Sequence, residues 1–129
     1  MRTNIPEVVA EVTAEFMRYE RALGSNDVDT IDTLFWNDPR TLRYGPQGTM
    51  LGHAQISAFR HGRKIDGIKR TLRNTVITTF GRDFATANTE SVRHGTGMVS
   101  RQSQTWVRLP EGWRIVSAHV SEEAAQPAK

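Results

Sequence analysis

Tyr19 is the polar member of an otherwise apolar series, Val8, Val9, Val12, Phe16, Tyr19 and Leu23, that recurs at three- and four-residue steps. Its ring must face whatever buries that series. Its hydroxyl then either bonds a backbone carbonyl or points into a cavity as a hydrogen-bond or proton donor. Arg43 lies in a short strand-like run, where it shares a face with Thr41 while Leu42 and Tyr44 share the other. The guanidinium is either an ordinary solvated edge or a planar fork for a carboxylate at the mouth or floor of a pocket. Gln102, Gln104 and Trp106 alternate onto one strand face, so two amides and an indole stand in a row that lines a wet cavity or meets a partner subunit. His119 shares an alternating face with Trp113, Ile115 and Ser117, a setting that suits a hydrogen-bonded sheet histidine better than a general base. Arg60 and Arg63 follow Phe59, and Arg70 and Arg73 open a later strand; charges so placed suit a solvated face paired with the acids of residues 7–38. Tyr19 and Arg43 are the candidates for chemistry, with Gln104, Trp106, His119 and Arg60 as candidates for lining a binding pocket.

Composition narrows the chemistry. Arginine outnumbers lysine fourteen to three, and residues 39–120 carry thirteen basic against four acidic side chains, whereas residues 1–38 carry three against eight. The chain is therefore built to meet an anionic polymer, a small acid, or its own acidic segment. Cysteine is absent, which excludes disulfides, thiolate catalysis and thiolate-held metals. Histidines at 53, 61, 94 and 119 show no metal-binding spacing, so no metal is expected. No GxSxG, GxGxxG or Walker-type loop occurs, so neither a nucleotide nor another cofactor is expected. The aromatic residues sit at apolar-face positions rather than between basic ones, which argues against nucleic acid. No stretch approaches the ~20 apolar residues of a membrane span, and a soluble cytoplasmic protein is expected.

The elements that must position these residues follow from periodicity. Pro6 to Leu23 reads as an amphipathic helix with proline in its first turn and Gly24 just past its end. Residues 25–27 cap a shorter helix with Val28, Ile31, Leu34 and Phe35 inward, and Asp38-Pro39 stops it. Arg40 to Tyr44 reads as a strand, residues 45–48 as a turn, and Gly52 to about Arg63 as a third helix with Ile56 and Phe59 inward. The period then switches to two, with strands at about 69–80, 84–94, 98–109 and 113–121 split by short glycine-containing turns that favour antiparallel hairpins. This is an α+β layout of helices on one face of a curved sheet, in a single domain over 1–121 with a loose tail over 122–129.

That order of elements, closing on residues 112–121 with Trp113, Ile115, Val116, His119 and Ser121, resembles the nuclear-transport-factor-like superfamily in its SnoaL-like branch. Longer strings at residues 35–45, 75–87 and 101–108 resemble more narrowly the AtzH-like proteins, encoded beside amidohydrolases of ureide and triazine breakdown. The resemblance implies a cone-shaped α+β barrel wrapped around the first helix, a pocket at its wide end, and a homodimer or higher homo-oligomer. In related ketosteroid isomerases a first-helix tyrosine donates to the reacting oxygen, the place Tyr19 occupies, while an aspartate of the first strand is the base; here that stretch reads Leu42-Arg43-Tyr44. The AtzH-like resemblance implies decarboxylation of 1,3-dicarboxyurea to allophanate, a small anionic substrate, with Arg43 holding a carboxylate and Tyr19 donating or relaying a proton. A non-catalytic ureide-acid binder serving a neighbouring amidohydrolase in oxalurate use is the alternative, ahead of an isomerase and of RNA binding.

Overall fold

In the computed structural model, which describes residues 1–63 and 66–123, the chain forms three helices against one six-stranded sheet. Helix α1 (Pro6–Ser25) begins with proline in its first turn and buries Val8, Val12, Phe16, Tyr19, Ala22 and Leu23. It runs through Gly24 rather than ending before it. The left-handed cap is Asn26 at φ 54°, whose N–H returns to the carbonyls of Ala22 and Leu23, because asparagine tolerates that conformation nearly as well as glycine. Gly67 crosses this end of the helix at φ 122°, where any Cβ would collide with the Gly24 carbonyl. Helix α2 (Val28–Leu34) starts at Asp27, which accepts from the Thr30 N–H at 3.3 Å and hydroxyl at 2.7 Å.

Strand β1 (Leu42–Gly45) turns back into β2 (Gly48–Leu51), a strand absent from the sequence expectation, and α3 (His53–Gly62) follows with Ile56 and Arg60 buried. Strands β3 (Arg70–Phe80), β4 (Phe84–Arg93), β5 (Val99–Leu109) and β6 (Gly112–Glu123) form antiparallel hairpins. The sheet order is β2-β1-β6-β5-β4-β3, and β1 joins β6 in parallel. Because β6 continues to Glu123, residues 122 and 123 belong to the sheet, and the rest of the expected tail, 124–129, lies outside the described residues.

Two irregularities bend the sheet into a cone. One lies between Arg73 and Val76 of β3, where Asn74 has φ 53°. The other decides the site. Thr105 pairs with Ser117 but Trp106 pairs with Ile115, which leaves Val116 as an extra residue on β6. One extra residue exchanges the faces of everything beyond it. Trp113 and Ile115 point inward before the bulge, Ala118 and Val120 after it, and His119 is carried to the outer face. The expected sharing of one face by Trp113, Ile115, Ser117 and His119 fails for this reason.

The narrow end of the cone is apolar, with Phe16, Ile31, Leu34, Phe35, Trp106 and Ile115 each no more than 1% exposed. Each such side chain contributes roughly 1.5–3 kcal/mol by leaving water. Among the described residues no helix is long and apolar enough to cross a membrane.

Candidate functional site

At the wide end, α1, β1, α3 and the ends of β3–β6 enclose a cavity with about 50 Å³ of free space, lined by five arginines: Arg43, Arg60, Arg63, Arg70 and Arg93. Tyr19, 2% exposed, reaches it from α1 with its ring edge-on to Phe35 at 6.1 Å. Its hydroxyl oxygen accepts from Arg60 Nη2 at 3.3 Å rather than bonding a backbone carbonyl. Since a guanidinium only donates, the tyrosine keeps its own proton free for a ligand.

Arg43 projects inward from β1 beside Ala118 of β6 and is 4% exposed. Its Nη1 donates to Gln47 Oε1 at 3.3 Å and lies 3.8 Å from Met50 Sδ. Burial first, then the charge of Arg60, push its pKa down to about 10. Arg63 is lowered as well, by burial and then by Arg60 and Arg93. Arg60 is 4% exposed and its Nε has no hydrogen-bond partner among the described residues. Guanidinium carbons of Arg43, Arg60 and Arg63 lie 5.3, 5.4 and 5.1 Å from the centre of the Phe59 ring. One ring face or edge softens such crowding by only ~0.5–2 kcal/mol per cation. Among the described residues no carboxylate stands within ion-pair distance of Arg43, Arg60, Arg63 or Arg93. Glu122 at the rim is the cavity's acidic lining residue.

Arg70 is the exception. It donates through Nη2 to Glu20 Oε1 at 2.5 Å and through Nε to Oε2 at 3.2 Å, with both side chains under 10% exposed. It also reaches Ser91 Oγ at 3.4 Å and Gln102 Oε1 at 3.2 Å.

Tyr19, Arg43 and Arg60 thus meet in one cavity, and the other sequence candidates do not. Trp106 donates to Gln104 Oε1 at 3.1 Å, and both lie deeper, in the dry core, because the inward row on β5 runs from Gln102 at the cavity down to the apex. His119 stacks edge-on with Tyr44 at 5.6 Å on the outer face. Arg63, Arg70, Arg93 and Gln102 line the cavity without having been chosen from the sequence. Gln102 could have been: it stands in the inward row nearest the chain reversal. The arginines of β3 and β4 gave no such signal, since a buried and a solvated arginine read alike. Arg70 does pair with an acid of residues 7–38, as a solvated face would, yet the pair is buried. Among the described residues no three His, Asp or Glu side chains gather to hold a metal ion.

A family model described as AtzH-like matches residues 1–126. The chain belongs to the AtzH-like family. Two crystal structures resemble this AtzH-like chain over nearly their whole length. One is a protein of unknown function from Pectobacterium atrosepticum, 53% identical over 95% of both chains with a TM-score of 0.90. The other is a cystatin-like fold protein from Burkholderia xenovorans, 46% identical over 98% and 99% of the two chains, also at 0.90. A nuclear transport factor 2 superfamily protein from Salmonella enterica, 28% identical over 95% and 94% with a TM-score of 0.67, shares the fold. No curated protein matches the sequence. The AtzH-like chain is thus a nuclear-transport-factor-like cone whose first strand offers Arg43 to its cavity.

Proposed function

We propose that the cavity binds a small ureide dianion and removes carbon dioxide from it, the substrate being 1,3-dicarboxyurea and the product allophanate. The observation that carries this reading is the gathering of arginines, Arg43 and Arg60 buried, that have no carboxylate partner among the described residues, around the Tyr19 hydroxyl. Charge of one sign that is buried and unpaired is costly, so its retention supports an anion as the missing partner. Arg43 holds one carboxylate, and Arg60 with Arg63 the other. Each charge-assisted hydrogen bond contributes about 1.5–3 kcal/mol.

The reaction breaks the bond between nitrogen and a carboxylate carbon. Carbon dioxide leaves, the bonding pair stays on nitrogen, and one proton must arrive there. Tyr19 delivers that proton, with Arg60 holding its oxygen, and regains one from solvent. The test is turnover of chemically generated dicarboxyurea. Wild-type protein is expected to speed allophanate formation, with losses of about 100-fold in Tyr19→Phe and in Arg43→Ala. Wild-type rates in both folded variants would contradict these roles, and binding without turnover in wild type would leave the accessory-binder reading instead.

A further inference from the structure

We infer that Gln102 reads the uncharged carbonyl oxygen of the ligand, as a specificity-determining donor whose orientation is fixed by Arg70 and Glu20. The inference rests on the ureide reading of the same cavity. Gln102 is 4% exposed and lines the cavity, yet its Nε2 has no hydrogen-bond partner among the described residues. A buried amide donor left without an acceptor is unfavourable, and such groups mark places where a partner arrives. The orientation of the amide is not free. Arg70 donates to one end of it at 3.2 Å, and a guanidinium has only donors, so that end must be the oxygen and the NH2 must face the other way. Arg70 in turn cannot swing off, because both Glu20 oxygens and Ser91 Oγ hold it. Arg70 and Glu20 are therefore positioning residues, Arg70 acting directly on Gln102 and Glu20 acting through Arg70.

The arginines are donors of a different kind. Arg43, Arg60 and Arg63 are cationic and outcompete a neutral amide for the carboxylates, which leaves the Gln102 NH2 to the neutral carbonyl. A ureide dianion carries such an oxygen between its two carboxylates. The same oxygen takes up part of the charge that nitrogen acquires as carbon dioxide departs, so a donor placed there helps both recognition and reaction. A site built to bond a carbonyl also discriminates against an analogue that lacks one, since its own donor is then left unpaired.

Two probes without an N-carboxylate isolate this contact, the first used freshly dissolved and cold because a β-keto acid loses carbon dioxide on standing. In 3-oxoglutarate, methylenes replace the two nitrogens of dicarboxyurea, and in glutarate the carbonyl is lost as well. Calorimetry on wild-type protein is expected to show 3-oxoglutarate binding about tenfold more tightly than glutarate, the scale of one hydrogen bond. Gln102→Leu is expected to bring that ratio below about two with glutarate affinity little changed, and Arg70→Lys to reduce it while Gln102 remains. A wild-type ratio near one overturns the inference while leaving the dianion site standing. So does a ratio preserved in Gln102→Leu. Failure of wild type to bind either probe removes the dianion reading itself, and this inference with it.

Discussion

Arg70 and Arg43 are arginines of one cavity, both buried, and their surroundings are opposite. Arg70 is clasped by both oxygens of Glu20 and by the side chains of Ser91 and Gln102. Arg43 has an amide oxygen and a thioether, and the charge that acts on it most is that of Arg60. The first arrangement is complete in the free protein, so its arginine serves the fold. The second is incomplete, so its arginine costs the fold something and is held ready for an anion from outside. The difference separates scaffold from site where residue type and burial alone do not.

Removing the clasped arginine should do the most damage. Arg70→Met leaves Glu20 as a buried carboxylate without its partner, and urea denaturation is expected to show a loss of about 3–5 kcal/mol. Adding Glu20→Leu to it should restore most of that loss. A cost below about 1 kcal/mol for the single change would erase the contrast between the two arginines.

Arg43→Met should act in the opposite direction. It removes a crowded, unpaired cation and keeps the volume filled, so the unliganded protein is expected to gain about 1–2 kcal/mol in the same denaturation experiment. Dianion affinity, measured by calorimetry, should fall about a hundredfold, more than the stability gained.

A pH series sharpens the same point. Arg43 is charged below about 10 and loses its proton above it, at a lower pH than an unfolded arginine would. Between those values the unfolded chain holds more protons, so this group's contribution to the stability of the free protein rises with pH. Dianion affinity moves the other way, flat over about pH 6–9 and falling above about pH 10 as the guanidinium is lost. Affinity that is constant to pH 11 would mean that Arg43 does not hold the ligand. The smallest effect belongs to the outer face: His119→Ala should alter affinity by less than about twofold and stability by no more than about 0.5 kcal/mol.

The helices and the hairpins were legible because they rest on period and on turn chemistry. The stripe from Val8 to Leu23 could bury only one face of a helix, and the glycine-containing breaks near residues 81, 95 and 112 leave room only for tight reversals. Strand β2 was not legible, since the four residues from Gly48 to Leu51 carry too little alternation to register. The inward row of β5 was legible as a row, but not where the water in it stops: Gln102 touches the cavity while Gln104 answers the Trp106 indole in the core. His119 was misplaced by counting in twos across Val116, an insertion with no mark in the residue types around it. The arginines of the cavity show the same limit, for whether Arg70 meets Glu20 in water or in the interior depends on two segments fifty residues apart.

The central claim is that the cavity's unpaired arginines await an anion, and thermal melting of wild type and Arg43→Met, with and without saturating glutarate, tests it most directly. A ligand that binds only the folded state adds stability in proportion to the logarithm of its excess, about 2.7 kcal/mol at a hundredfold excess over Kd. The variant should melt above wild type without the dianion and below it with the dianion present. Curves that keep one order under both conditions, with Arg43→Met always the less stable, would contradict the account.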